Sequence, residues 1–269
     1  MQVEKITNQT FQSHPINVQE MNTLKKTLKN NKVFLYDVDT THGFMDQIIL
    51  KRNDGITDGF PVIGADKIIP ALLKIKEIFL NKLPKLETVD AHRFSDPEIQ
   101  FFKFVSDIHS EKGTLGAEKI PETVFGNPKY LIEVEPEKAD VPTVFEIQNA
   151  IVNKEIIRIE KNEIDVLKYG NGDTGKIEEN KKGIQFFENL KKAGAEIALV
   201  YGVAEEYCVK AAVAACKRFG IMPIVIEDAV KDAGTQVLKN PKDWVYNDVA
   251  TITTESLGGY VHTQNRVNK

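Results

Sequence analysis

The chain has 269 residues, 42% of them hydrophobic, enough to bury one substantial core and close to the upper size of a single domain. Its 35 basic and 39 acidic residues leave a net charge of -4, so no positive surplus exists to hold a phosphate backbone, which argues against a nucleic-acid partner. No apolar run approaches the ~20 residues of a membrane-spanning helix, and Met1-Gln2-Val3-Glu4-Lys5 lacks the basic-then-apolar order of a signal peptide. A cytoplasmic protein with no membrane attachment is expected.

Residues 1–30 are polar and weakly periodic, which predicts an N-terminal arm or short helix ahead of a single domain over 31–269. Lys32-Val33-Phe34-Leu35-Tyr36-Asp37 is an apolar run with a carboxylate at its end, the pattern of a buried parallel strand. Gly55 to Gly64 predicts a loop and Ile68 to Phe79 a helix, followed by a strand over Leu86 to Val89 that ends at Asp90 and His92. From Ser95 to Thr143 the chain is rich in Pro, Gly and charge, which predicts irregular structure with small strands. A strand over Ile156 to Ile159 leads to Lys161, and Tyr169 to Gly175 reads as a flexible loop. An amphipathic helix through Phe186, Phe187 and Leu190 stops at Gly194, and Ile197 to Tyr201 predicts a central strand. Glu205 to Phe219 reads as an Ala-rich helix, and Met222 to Ile226 and Val249 to Ile252 as two last strands. Five or six strands alternating with helices predict an α/β fold, an open, mostly parallel sheet with helices on both faces. Ligands of such sheets bind beyond the carboxyl ends of the strands, where the ionisable residues fall.

The chain has two cysteines, Cys208 and Cys216, about 12 Å apart along one expected helix, too far for a disulfide. Cys208 falls in the first turn after the tight Tyr201-Gly202-Val203-Ala204 segment, where orphan amides and the helix dipole favour a thiolate and an oxyanion. Cys216 lies two turns deeper and reads as a core residue. Asp90-Ala91-His92 places two metal donors on one side of an extended chain, with His109 as a third.

These segments resemble the isochorismatase-like cysteine hydrolases, nicotinamidases in particular, over roughly residues 32 to 253. Gly202-Val203-Ala204-x-x-x-Cys208-Val209 is similar to the family's nucleophile loop, and Pro61-Val62-Ile63-Gly64-Ala65 to the segment before its first helix. His109-Ser110-Glu111-Lys112-Gly113-Thr114-Leu115-Gly116-Ala117-Glu118 resembles the nicotinamidase run His-Cys-x-x-Gly-Thr-x-Gly-Ala-Glu. The resemblance implies a three-layer α/β/α fold and a triad of Asp37, Lys161 and Cys208. Asp39 is the nearest rival to Asp37, and Lys154 and Lys168 lie close to Lys161. It further implies a cis Val203-Ala204 peptide and an oxyanion hole from the Ala204 and Cys208 amides. A divalent metal, Zn, Fe or Mn, would be held by Asp90, His92 and His109, with Glu98 as fourth ligand and Asp96 as its alternative. Phe44, Val203 and Tyr207 are the expected pocket residues. Family members commonly form homo-oligomers.

Three departures bear on the substrate. Ala91 stands where a tryptophan is common, Asp107-Ile108 replaces Pro-Pro, and the stretch from Asp37 to Phe44 is longer than the usual Asp-x-Gln-x-Asp-Phe. The only tryptophan, Trp244, is distant in sequence, so an aromatic wall falls to Phe44, Phe94, Phe101, Phe102 or Phe104. His14, His42 and His262 have no such neighbours and read as exposed or locally bonded. The expected activity is release of ammonia from nicotinamide, as in NAD metabolism, or from a similar small amide, through a thioester. The alternatives are another small amide or N-carbamoyl compound, or an inactive ligand-binding homologue. Hydrolysis of the isochorismate vinyl ether belongs to members without the cysteine.

Overall fold

The computed structural model describes residues 13–134, 140–234 and 249–259. Strands follow one another in the chain as β1 (Ser13–Pro15), β2 (Val33–Val38), β3 (Leu50–Lys51), β4 (Thr57–Asp58), β5 (Lys85–Asp90) and β6 (Tyr130–Glu133). They continue as β7 (Ile156–Lys161), β8 (Lys168–Asn171), β9 (Lys176–Glu179), β10 (Ile197–Val203), β11 (Met222–Lys231) and β12 (Val249–Ile252). Between them run α1 (Val18–Lys29), α2 (His42–Met45), α3 (Ile69–Phe79), α4 (Pro97–Phe102), α5 (Val144–Asn153), α6 (Lys181–Lys192) and α7 (Lys210–Arg218).

Eight of the strands form one sheet in the order β1-β12-β11-β10-β2-β5-β7-β6, and every pairing in it is parallel. Parallel strands need crossovers, and the crossover helices cover both faces, which is why β2, β5 and β10 are buried at every residue. On one face, Phe34, Tyr36, Ile157, Ile159 and Val200 pack against α5, α6 and α7 through Ile147, Phe186, Phe187 and Val213. On the other, Val33, Leu35, Leu199 and Ile224 pack against α1 and α3 through Leu24, Leu72 and Ile75.

The sheet has eight strands where five or six were expected. The two additions are short edge strands: β6 in the irregular stretch, and β1 in the polar N-terminal segment, pairing with β12. That segment also forms α1, opened by a capping box in which Asn17 and Glu20 exchange side-chain to backbone bonds of 3.0 and 2.9 Å. The expected loop at residues 169–175 is the hairpin β8-β9.

Chain order reverses between β2 and β10. From β2 the chain adds β5 and β7 on one side, and β10 then returns to the other side of β2, leaving a crevice at the carboxyl ends. Gly202 makes this junction close: its φ is +124°, and a Cβ there would fall 2.0 Å from the Val38 carbonyl oxygen. Among the described residues no helix is long and apolar enough to cross a membrane.

Candidate active site

Side chains alternate along β2, so Asp37 follows Val33 and Leu35 onto the α1 and α3 face, while Phe34, Tyr36 and Val38 face α6 and α7. Lys161 has the parity of Ile157 and Ile159 and belongs to the α6 and α7 side. Asp37 and Lys161 are therefore on opposite faces, and the expected contact between them is not formed. Asp37 instead meets Lys85 at 2.7 Å, Lys119 at 2.9 Å and the Thr40 hydroxyl at 2.6 Å, all buried. The strand ends at Val38. Asp39 takes a left-handed φ of 50°, which leaves the strand's alternation and turns its carboxylate to Lys161, 2.8 Å away.

Lys161, fully buried at the end of β7, gathers three partners. Its Nζ contacts Asp39, Asp90 and, at 3.6 Å, the Cys208 sulfur. Asp90 is its register partner on β5, so the sheet itself sets that contact. Cys208 arrives from the far side of β2: after the cis Val203-Ala204 peptide, Glu205–Val209 form a π turn that precedes α7. The Val209 amide donates to the Ala204 carbonyl, five residues back, at 3.1 Å. Such turns inside helices are frequent at functional sites. Carboxylate oxygens of Asp39 and Asp90 and the Cys208 sulfur lie within 4.8 Å of one another. Lys154 points to Asn31 and Lys168 lies in the hairpin, so neither competes with Lys161.

The charges divide the two aspartates of this segment. Burial alone would raise the Asp37 carboxyl, but Lys119 and Lys85 outweigh it and hold Asp37 below the usual carboxylate range. Burial also raises Asp39, and there it prevails over Lys161, with Asp90 adding to the rise. Asp39 is thus the more basic carboxylate and the one facing sulfur. Burial pushes the Cys208 thiol well above its ordinary value, only partly offset by Lys161. The expected lowering by the helix N-terminus is not found, because desolvation of a buried sulfur outweighs it. Cys216 is wholly buried under the sheet, as expected of a core residue.

Asp90 continues into a second cluster. Asp90, His92, Glu98 and His109 each bring a ligand atom within 4.8 Å of the others, and all four are buried. The Ala91 amide bonds Lys161 O, extending the strand pairing, while the His92 amide bonds Ser110 O and the Lys112 amide bonds His92 O. That stitching brings His109 beside His92, their ring centroids 4.5 Å apart. Glu98 enters from α4, whose start is set by Asp96 and Pro97. Asp96 stands behind His92, 3.4 Å from Nδ1, and accepts from the Arg93 amide and Asn162, an orienting place and not a ligand's.

The donors suit a divalent cation. Asp90 Oδ2, His92 Nε2 and Glu98 Oε2 are buried without a hydrogen bond, an arrangement that a bound ion would satisfy, while His92 Nδ1 faces Asp96. Burial would lower the His92 ring, yet the Asp90 and Asp96 carboxylates beside its two nitrogens and the charge of Glu98 raise it to about 10. Positive charge is strongly favoured at this spot.

Aromatic rings close around His109. Phe44, Phe60 and Phe102 have centroids 5.8, 6.1 and 5.9 Å from it, and Tyr207 stands 6.1 Å from Phe102. Phe44 and Tyr207, two of the three expected pocket residues, belong to this wall. Val203 is buried in the core under the crevice. Phe94, Phe101 and Phe104 are exposed. Phe60 was not anticipated as a wall residue; its place directly before Pro61-Val62 was the available signal. His14 and His42 make local contacts with Glu20 and Asp46, and Trp244 and His262 lie outside the described residues.

This architecture is the isochorismatase-like α/β fold. Solved structures that share it include N-carbamoylsarcosine amidase from Thermoplasma acidophilum, at 21% identity and TM-score 0.51 over 83% of this chain and 97% of that one. A nicotinamidase/pyrazinamidase of Acinetobacter baumanii matches at 20% identity and TM-score 0.51, over 84% of this chain and 98% of that one. The pyrazinamidase of Pyrococcus horikoshii in complex with zinc matches at 19% and 0.50, over 82% and 99%. No protein-family model matches the sequence, and no curated protein does.

Proposed function

We propose that this protein is a cysteine amidohydrolase of the isochorismatase-like superfamily that releases ammonia from a small amide. The observation that carries this reading is the convergence of Cys208, Lys161 and Asp39 at the sheet's switch point, beside a four-donor cluster that shares Asp90 with Lys161. The thiol is neutral at rest, so Asp39 takes its proton as sulfur attacks the amide carbonyl, and the same carboxyl hands that proton to the departing ammonia. Water then attacks the thioester, again with Asp39 as base, giving the carboxylic acid. The Ala204 and Cys208 amides are the proposed donors to the oxyanion of both steps. Lys161 holds Asp39 in place and adds positive charge near the oxyanion.

Asp90, His92, Glu98 and His109 would hold Zn, Fe or Mn, an electrophilic anchor for a ring nitrogen of the substrate or for water. The wall of Phe44, Phe60, Phe102 and Tyr207 next to that cluster favours a flat heteroaromatic amide, of which nicotinamide is the first to test. An N-carbamoyl amine is the second choice, favoured by Ala91, which stands where many nicotinamidases carry a tryptophan. A screen for ammonia release over nicotinamide, pyrazinamide and N-carbamoyl amines, with and without chelator, tests both. Release from none of them by metal-loaded protein would overturn the reading.

A further inference from the structure

The buried charges around Asp37 have no role in the chemistry above, yet they surround the backbone that presents Asp39. Lys119 Nζ reaches Asp37 Oδ1 at 2.9 Å, Thr40 Oγ1 at 3.3 Å and the Asp37 carbonyl at 3.5 Å. The Thr40 hydroxyl donates to Asp37 at 2.6 Å and lies 2.9 Å from the Thr123 hydroxyl, and the Thr40 carbonyl accepts from the Ile120 amide at 3.1 Å. Lys85 joins Asp37 to Glu87, both at 2.7 Å. Asp39 itself is held by the Thr88 carbonyl, which accepts from its amide at 3.2 Å. A left-handed aspartate is disfavoured relative to an extended one and persists where its neighbours fix the chain. Here Asp37 and Thr40, one on each side of the Val38-Asp39 pair, are both tied by one lysine from the segment that also carries His109.

We propose that Lys119, acting through Asp37 and Thr40, is a positioning residue that holds the left-handed turn at Asp39 and so keeps its carboxylate on Lys161 and Cys208. This rests on the amidohydrolase reading for its consequence but not for its geometry. Buried charges are costly, and a core of matching apolar side chains would stabilise the sheet as well or better. Their presence beside the turn is explained by what they hold.

The test uses the full-length, metal-loaded protein. Thr40→Val keeps the side chain's shape and removes the hydroxyl, while Thr40→Ser keeps the hydroxyl; Lys119→Met removes the ammonium. Thr40→Val and Lys119→Met are expected to lower kcat by about tenfold to a hundredfold with KM little changed, the order found for ångström-scale misplacement of a reacting group. Thr40→Ser should restore most of it. Folded Thr40→Val protein with wild-type kcat, or with KM alone altered, would overturn the proposal. Crystal structures of the two Thr40 variants read the placement without substrate: the Asp39–Lys161 contact should survive in the serine variant and be lost in the valine one. Wild-type protein inactive on every amide, with that structural difference intact, would end the amidohydrolase reading alone.

Discussion

Asp39 and Lys161 meet at 2.8 Å, although they come from strands separated by β5 and although Asp39 lies beyond the end of its own strand. That contact sets which of two nearby aspartates lies beside the Cys208 sulfur, and on the proposed mechanism Asp39 is the base. Asp39→Asn should cut turnover by about a hundredfold or more, the range for loss of a general base, with the thermal midpoint little lowered. Steady-state kinetics beside thermal melts separate the two effects.

Asp37→Asn should show the opposite balance. It breaks a buried ionic network, so stability should drop by ~3–5 kcal/mol in denaturant titrations, and any fall in kcat should be indirect. A variant with normal stability would mean that Asp37 is not paired as described.

The same network sets an acid limb. A carboxyl whose folded pKa lies below its unfolded value stabilises the protein fully above the unfolded value, ~3.9 for Asp, and loses that contribution as pH falls through the folded value. Asp37 and Glu87 are both lowered, despite burial, by Lys119 and Lys85 for the first and chiefly by Lys85 for the second. The contribution of these two carboxylates should therefore be constant near neutrality and be lost below the ordinary carboxylate range. Urea midpoints at pH 7 and pH 3 should differ less in Asp37→Asn than in the wild type.

Metal content is the fourth check. His92→Ala and His109→Ala should each lose bound divalent ion, read by elemental analysis, and lose activity with it. Chelator should do the same to the wild type, and readdition of zinc, iron or manganese should restore it.

The pocket wall is tested at Phe102. Phe102→Ala should raise KM for a heteroaromatic amide several-fold with a smaller change in kcat, since it removes ring contact and leaves the reacting groups in place. An unchanged KM would place the substrate elsewhere.

The fold was legible because its strands carry strong apolar runs and its helices strong amphipathic ones. β1 and β6 were not, being edge strands of three and four residues, too short for periodicity to register. That Cys208 and Lys161 come together, and that Asp90, His92, Glu98 and His109 cluster, was legible because each directly follows a strand or sits in a segment of distinctive spacing. The expected contact of Asp37 with Lys161 is not formed, for a definite reason. A strand buried on both faces shows no polar alternation, so nothing in Val33 to Val38 tells which face Asp37 takes. One clue remained: counted from Asp39 rather than Asp37, the stretch to Phe44 has the six-residue length of Asp-x-Gln-x-Asp-Phe. The rise of the Cys208 pKa was hidden too, because burial of a side chain on the first turn of a helix depends on what packs over it.

The most direct test of sulfur as nucleophile is rapid acid quench of metal-loaded enzyme with a substrate found in the ammonia screen, followed by mass spectrometry of the peptide containing Cys208. The account predicts an acyl group on Cys208 during turnover and neither adduct nor ammonia from Cys208→Ala. Ammonia release by Cys208→Ala at the wild-type rate would contradict it.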